Sequence, residues 1–172
     1  MYFAIPFLTV VALSEATVLP HMRVGNVQPD LTLLVVGAWS LRRGVEEGVI
    51  WAFIGGIVLD LLSAGPAAAS ILALLGVSLV LGIDPTTGLG RRQMRPFGDN
   101  PLALILGVVL ATLTYHMVLL MMLQLTGHSL NWLNSATRVI LPRVPFNLVL
   151  IPFIYRLLGW VDRRTRREEL IL

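Results

Sequence analysis

Charged residues inside apolar segments are the part of this sequence where chemistry could take place. The stretch "VEEGVIWAFIGGIVLDLLSAGP", residues 45–66, stays apolar after its first turn until Asp60. Glu15 interrupts the first apolar run, and Arg138 and Arg143 stand near the start of the last one. In a low-dielectric environment such groups either carry out acid–base chemistry or neutralise one another by pairing, because an unpaired charge is costly there.

The remaining residues supply no recognisable catalytic arrangement. The "GLG" around residue 89 lacks the strand, third glycine and acid of a dinucleotide-binding fingerprint, and no P-loop, HExxH or Gly-x-Ser-x-Gly pattern occurs. There is no cysteine, which excludes disulfides and thiolate metal sites. His116 has no second histidine at metal-ligand spacing, so we interpret it as hydrogen-bonded to a neighbouring helix rather than as a ligand or proton relay. We expect no enzyme activity, no cofactor, no metal and no nucleic-acid partner.

The amino-acid composition indicates the environment in which the charged residues lie. Of the 172 residues, 56% are hydrophobic and only 13% are charged, whereas soluble domains carry roughly 25% charged residues. Several apolar runs approach the ~20 residues that a helix needs to cross a membrane. The first run lacks a basic leader region and an evident cleavage site, so we expect it to be a retained helix. The sequence therefore predicts an all-α, polytopic membrane bundle.

The hydropathy pattern predicts one integral membrane domain over residues 1–172, with a basic tail at 161–172. The second helix is short, so it requires shielding by its neighbours or a locally thinned bilayer. Trp39, Trp51 and Trp160 fall near predicted helix ends and are interpreted as interfacial anchors. The predicted helices span about residues 2–20, 30–43, 45–63, 67–83, 101–126 and 136–160.

The distribution of arginine predicts the orientation of the helices, because short translocated loops tend to lack positive charge. Clusters follow predicted helices 2, 4 and 6, whereas the opposite loops hold only Arg23 and Arg138. Both termini are therefore expected to be cytoplasmic. The clusters either set topology alone or also contact anionic lipid or a cytoplasmic partner. They comprise Arg42, Arg43, Arg91, Arg92, Arg95, Arg163, Arg164, Arg166 and Arg167.

In this orientation the four intramembrane charges share one layer near the outer face. A helix rises ~1.5 Å per residue, which places Glu15 and Asp60 at similar depths on two ascending helices. Arg138 and Arg143 lie at the outer end of the descending sixth helix. We predict that Asp60 and Glu15 pair with Arg138 or Arg143.

Small residues form a stripe on the third helix. Gly48, Ala52, Gly56 and Asp60 recur at intervals of four residues and so share one face. Small side chains permit close helix approach in membranes. Either helix 3 packs in this way on helix 1 or 6, or the stripe receives a transmembrane helix from a partner.

Prolines at positions 142, 145 and 152 predict a kinked or partly unwound sixth helix. Asn147 lies between them. Broken helices line substrate sites in transporters, which raises a transport hypothesis. The structural alternative is that Asn147 satisfies a carbonyl that the kink leaves unbonded.

Two segments resemble the rod shape-determining protein MreD family. "QPDLTLLVVGAWSLRRG" followed by "GVIWAFIGGIVLDLLSAGP" is similar to that family's Pro-Asp start of the second helix and its glycine-rich third helix, which ends in Leu-Asp-Leu-hydrophobic-Ser. "LPRVPFNLVLIPFIYRLL" is similar to its last helix, with an asparagine followed by a proline. After the serine, "GPAAAS" departs from the family's usual Pro-Leu-Gly.

The resemblance implies a non-enzymatic scaffold of the bacterial cell-elongation machinery in the inner membrane. The family is associated with the bitopic protein MreC, with the actin-like MreB, and with the RodA glycosyltransferase and its class B penicillin-binding protein, which together position peptidoglycan synthesis. A homodimer is also compatible with it. The implied fold is similar to that of the S components of energy-coupling-factor transporters, so the alternative is a small-molecule-binding transport subunit.

Overall fold

A computed structural model describes residues 4–17, 28–63, 65–82, 101–127 and 140–169, with the backbone alone for 101, 103 and 163–169. These residues form six helices and no strand, which confirms the predicted all-helical class for this part of the chain. Arg23, Arg91, Arg92, Arg95 and Arg138 lie outside the described residues. The helices are α1 (Ala4–Thr17), α2 (Leu31–Arg43), α3 (Val45–Leu62), α4 (Ala69–Gly82), α5 (Pro101–Leu125) and α6 (Leu141–Glu169).

The short helix α2 lies at the centre of the bundle. It packs against each of the five other helices, and ten of its 13 residues are buried, from Thr32 to Leu41. Its sequence, LTLLVVGAWSLRR, is apolar on all sides until the final arginines, as expected for a helix that is surrounded by others. The neighbouring helices therefore supply the shielding that a helix too short to span the bilayer requires.

A single residue connects α2 to α3. Gly44 adopts φ 86°, a left-handed conformation that a residue without a Cβ adopts at little cost. The connection reverses the chain between Arg43 and Val45, so α3 returns along α2. Basic residues end α2 and acidic residues begin α3, which suits the dipoles of both helices.

The stripe of small residues on α3 faces the inside of the bundle. A Cβ added at Gly48 would overlap the hydroxyls of Ser40 on α2 and Ser78 on α4. A Cβ at Gly56 would lie 2.5 Å from the Cα of Ile71 on α4, and Ala52 is fully buried. The stripe thus packs within the chain, on α2 and α4 rather than on the helices α1 and α6 that the sequence suggested.

Within the described ranges, two helices are long and apolar enough to cross a membrane. They cover Leu104–Leu125 in α5, with a mean hydropathy of 2.2, and Leu141–Asp162 in α6, with a mean hydropathy of 1.6. Their outward side chains are large and apolar, with Leu106 61% exposed and Phe153 73% exposed. Such a surface fits a hydrocarbon environment.

Helix α6 continues unbroken through its prolines. The sequence predicted a kinked or partly unwound segment there; the unwinding is wrong, because the chain is helical from Leu141 to Glu169 with Pro145 and Pro152 inside. Pro142 lies in the first turn, where a backbone N–H has no partner within the helix. The helix also extends into the predicted basic tail and includes Arg163, Arg164, Arg166 and Arg167.

Two of the three tryptophans expected at the membrane interface are buried. Trp39 and Trp51 stack with ring centroids 4.2 Å apart, and they are 4% and 6% exposed. Trp39 Nε1 donates to Glu47 Oε2 at 3.1 Å, which satisfies the indole inside the bundle. Trp160, by contrast, is 51% exposed on α6.

The close approach of α3 and α4 predicts that Gly56→Ala destabilises the protein. The new Cβ would overlap the backbone of Ile71, and overpacking of this kind costs about 1–3 kcal/mol. We expect a lower midpoint of thermal unfolding in detergent micelles. Gly76→Ala is the matched control, because its Cβ would meet Thr114 at an ordinary 3.4 Å and alanine favours a helix. Equal stability of the two variants would contradict the assigned packing.

Candidate functional site

The first turn of α2 is buried, and Glu15 of α1 provides its cap. Glu15 Oε2 accepts hydrogen bonds from the Thr32 backbone N–H at 2.8 Å and from the Thr32 hydroxyl at 2.6 Å. The first N–H groups of a helix have no partner within the helix, and a carboxylate at this end also interacts favourably with the helix dipole. The Glu15 side chain belongs to a neighbouring helix and is itself buried, at 9% exposed.

Asp30, the residue before α2, is the centre of a buried ion pair. Its side chain makes no capping bond to its own helix and is 4% exposed. Arg143 Nη1 of α6 donates to Asp30 Oδ1 at 2.7 Å. Asn147 Oδ1, one turn further along α6, accepts from the Asp30 backbone N–H at 3.2 Å. These bonds fix the start of α2 to the first two turns of α6.

Helix α5 completes this network through His116 and Thr112. His116 Nε2 lies 3.0 Å from Arg143 Nη1, and its Nδ1 lies 2.8 Å from the carbonyl of Thr112. These contacts fit a neutral ring with the proton on Nδ1, because Nε2 then accepts from the guanidinium. Asn147 Nδ2 donates to Thr112 Oγ1 at 3.1 Å. Asn147 therefore links α2 to α5, and the interpretation that it satisfies a carbonyl left unbonded by a kink is corrected.

Asp60, near the end of α3, caps helix α4. Its Oδ1 accepts from the backbone N–H of Ser70 at 2.9 Å, and its Oδ2 lies 3.5 Å from that of Ile71. Both donors belong to the first turn of α4. The acid that interrupts the apolar third helix thus stabilises the start of the next helix.

Three of the four predicted intramembrane charges, Glu15, Asp60 and Arg143, lie in the described residues and line one cavity, with partners other than those predicted. Arg143 pairs with Asp30, whereas Glu15 and Asp60 accept backbone and hydroxyl hydrogen bonds, so the predicted pairing of these acids with Arg143 is corrected. The physical reason is that buried helix starts present N–H donors nearer to these carboxylates. Sequence reasoning missed Asp30 as the partner. The Pro-Asp pair before α2, typical of a helix start, was the available signal.

At the opposite end of the bundle, Arg42 and Arg43 pair within the chain. Arg43 contacts Asp162 of α6 at 2.5 Å and Glu47 of α3 at 3.1 Å. The guanidinium of Arg42 lies 4.0 Å from the ring centroid of Tyr155 and donates to the Tyr155 carbonyl at 3.2 Å. These two members of the basic clusters therefore join α2 to α3 and α6. A purely topogenic role does not account for such contacts.

A cavity of about 500 Å³ lies at the Asp30 end of the bundle. Its wall includes Glu15, Asp30, Asp60 and Arg143, together with leucines from α3 and α5. Among the described residues, no group of three His, Cys, Asp or Glu side chains could hold a metal ion. The contacts described above join helix ends to one another at this end of the bundle.

Comparison with known proteins identifies the family. The family model for rod shape-determining protein MreD matches residues 1–161. The chain belongs to the MreD family. This match covers both segments on which the sequence resemblance was based, together with all residues of the buried network and the caps. No curated protein and no solved structure matches the chain significantly.

Membership of the MreD family gives this chain a role in determining rod shape and makes it a membrane protein. The two long apolar helices α5 and α6 agree with a membrane location. MreD is a shape-determining structural family rather than a family of known enzymes. The buried network therefore maintains the relative positions of the helices in a protein whose role is structural.

The Asp30–Arg143 pair predicts strong coupling between two substitutions. Arg143→Gln leaves the buried Asp30 carboxylate without its partner, which costs about 3–5 kcal/mol, and Asp30→Asn leaves the partly exposed Arg143 guanidinium unpaired, which costs less. The double variant should be more stable than the sum of the two losses predicts, because it removes both charges together. Unfolding of the four proteins of the cycle in detergent measures this coupling. Arg156→Gln, at an exposed position of α6, should have little effect, and additive losses would contradict the pair.

The cap on α4 predicts different effects for two substitutions of Asp60. Asp60→Ala removes both acceptors and should destabilise the protein by about 0.5–2 kcal/mol, the usual cost of losing a helix cap. Asp60→Asn keeps one acceptor oxygen and should retain most of the stability. Thermal unfolding of both variants compares them directly. A loss in Asp60→Asn as large as that in Asp60→Ala would show that the charge matters, rather than the hydrogen bonds to Ser70 and Ile71.

Proposed function

We propose that this chain is a non-enzymatic membrane scaffold of the bacterial cell-elongation machinery. In this role it binds the transmembrane helix of MreC and helps to position peptidoglycan synthases. The observation that carries the proposal is the match to the MreD family over residues 1–161. Further partners in the proposal are RodA, its class B penicillin-binding protein and MreB.

The distribution of polar groups supports an apolar partner within the membrane. In the described part of the chain, Asp30 and Arg143 pair internally, and Glu15 and Asp60 cap helices. The outward side chains of α1, α5 and α6 include Val10, Leu106 and Val149, each more than half exposed. A hydrophobic helix can pack on such a surface without bringing a compensating charge.

The proposed location is the inner membrane, with both termini in the cytoplasm. The arginine clusters support this orientation through the positive-inside tendency. In this arrangement the last turns of α6, residues 163–169, lie at the cytoplasmic end of the helix. Four arginines in this segment form a basic cluster of the kind that binds anionic lipid or a cytoplasmic partner.

A second candidate function is a ligand-binding subunit of a transporter. The observation that favours it is the cavity of about 500 Å³ with charged groups in its wall, a volume typical of small-molecule sites. A transport subunit should associate with an energy-coupling module, whereas the scaffold should associate with MreC. The proteins recovered with the chain therefore separate the two functions.

The first prediction from the scaffold role is recovery of MreC. The full chain is purified in mild detergent from its native membrane, and mass spectrometry identifies bound proteins and small molecules. We expect MreC together with components of the elongation machinery. Recovery of an energy-coupling module in place of MreC would overturn the scaffold and favour transport.

The absence of cysteine allows the contact face to be mapped with single-cysteine variants. Each variant is crosslinked to single-cysteine variants of the MreC transmembrane helix. Crosslinks confined to one or two adjacent helices are expected, and equal crosslinking on every helix would indicate random encounter. Ala52→Cys is the control, because this fully buried position should not react. The five exposed positions are Val10, Phe53, Leu72, Leu106 and Val149.

A further inference from the structure

Arg156 of α6 differs from the other arginines whose side chains the structure describes. Arg42 and Arg43 both lie within ion-pair distance of Asp162, and Arg143 pairs with the acid that precedes α2. Among the residues that the structure describes, Arg156 has no acid within ion-pair distance and makes no side-chain hydrogen bond. The counterion of this one guanidinium must therefore come from its surroundings.

The surroundings of Arg156 are the apolar outer surface of the bundle. Arg156 is exposed and belongs to the apolar stretch Leu141–Asp162 of α6. On the same face Phe153 is 73% exposed and Leu157 is 50% exposed. A cation on a surface that faces hydrocarbon is costly unless it meets an anion or reaches the polar head groups.

Trp160 indicates the level of the head groups beside Arg156. It lies one turn further along the same face of α6 and is 51% exposed. Exposed tryptophan in a membrane helix is typical of the boundary between hydrocarbon and head groups. Four residues correspond to ~6 Å along the helix axis, a distance that the long, flexible side chain of arginine can bridge. The Arg43–Asp162 ion pair lies at this same end of the bundle.

A phospholipid phosphate fits this position better than a carboxylate from a partner helix. A guanidinium binds phosphate through two parallel hydrogen bonds. The large side chains of Phe153 and Leu157 keep another helix at a distance, whereas they offer an acyl chain an apolar surface. The phosphate of an anionic lipid has no ammonium in its own head group to neutralise it, so it interacts more strongly with an arginine than the phosphate of a zwitterionic lipid does.

We propose that Arg156 binds the phosphate of an anionic phospholipid. Trp160 lies beside the head group, and Phe153 and Leu157 lie against the upper part of an acyl chain. This lipid occupies a defined position on α6, in contrast to the lipid that the basic residues 163–167 attract in general. The site goes beyond the scaffold role, because it requires no protein partner.

The test measures which lipid lies next to Arg156 in a bilayer. The chain contains no cysteine, so Leu157→Cys provides a single attachment point for the fluorophore NBD on this face. The labelled full chain is reconstituted in phosphatidylcholine vesicles with a small fraction of spin-labelled phosphatidylglycerol or spin-labelled phosphatidylcholine. The nitroxide is on the upper acyl chain and quenches a nearby NBD. Phosphatidylglycerol should associate about fivefold more strongly, the effect expected of one basic residue at a membrane surface.

Substitutions of arginine separate this site from the general attraction of the basic segment. Arg156→Gln should lower the preference for phosphatidylglycerol about fivefold, and Arg156→Lys, which keeps the charge, should retain most of it. Arg166→Gln is the matched control, because it removes the same charge ~15 Å further along the helix, where salt screens its effect. A loss in Arg166→Gln as large as that in Arg156→Gln would assign the lipid to the basic segment and overturn the site.

A second position for the fluorophore shows whether the effect is local. Leu106→Cys places NBD on the outer face of α5, where Leu106 is 61% exposed. Arg156→Gln should leave the lipid preference at this position unchanged. An equal decrease at both positions would show that the substitution alters the whole protein, and it would overturn a site at Arg156.

Two further results would identify a different anion. Excess inorganic phosphate, compared with sodium chloride at equal ionic strength, should not change the preference, and a loss with phosphate alone would assign the site to free phosphate. Equal quenching by the two lipids would overturn lipid binding and leave a carboxylate from a partner helix as the counterion. The vesicles contain no other protein, so this proposal and the scaffold role can fail separately.

Discussion

The burial of the first turn of α2 is the constraint on which the rest of the structure depends. The N–H groups of a helix start have no partner within the helix, and without water each unsatisfied group costs several kcal/mol. Glu15 and Asn147 supply acceptors from α1 and α6. Asp30 adds a buried charge that requires Arg143. Satisfying a single turn of α2 thus fixes the positions of three helices.

The same electrostatic principle applies at both ends of the central helix. Acids lie at the start of α2, and Arg42 and Arg43 end it, which matches the sign of the helix dipole at each end. Arg43 in turn binds Asp162 of α6 and Glu47 of α3. Asp60 repeats the arrangement at the start of α4. Charges at helix ends and ion pairs between helices therefore act together in the described bundle.

The sequence predicted the all-helical class more successfully than the partners of the charged residues. Long apolar runs define membrane helices directly, because the bilayer permits few alternatives. The partner of Glu15 depends on which backbone lies beside it, and no sequence pattern encodes that neighbour. The small residues around Gly56 likewise predicted close packing of α3. They did not indicate which helix packs there, because small side chains accommodate more than one neighbour. The sequence analysis assigned Trp51 to the membrane interface, because its position along the helix does not reveal that it stacks on Trp39.

For the proposed partner helix in the membrane, the described bundle offers mainly an apolar surface, because Asp30 and Arg143 pair and Glu15 and Asp60 cap helices. Close approach of membrane helices requires small residues at the contact. In this chain the small residues of α3 are used against α2 and α4. The exposed surfaces of α5 and α6 instead present large side chains, with Leu106 61% and Val149 67% exposed. A partner helix that packs closely on these surfaces must therefore supply the small residues itself, because two large apolar surfaces hold helix axes apart and gain little over contact with lipid.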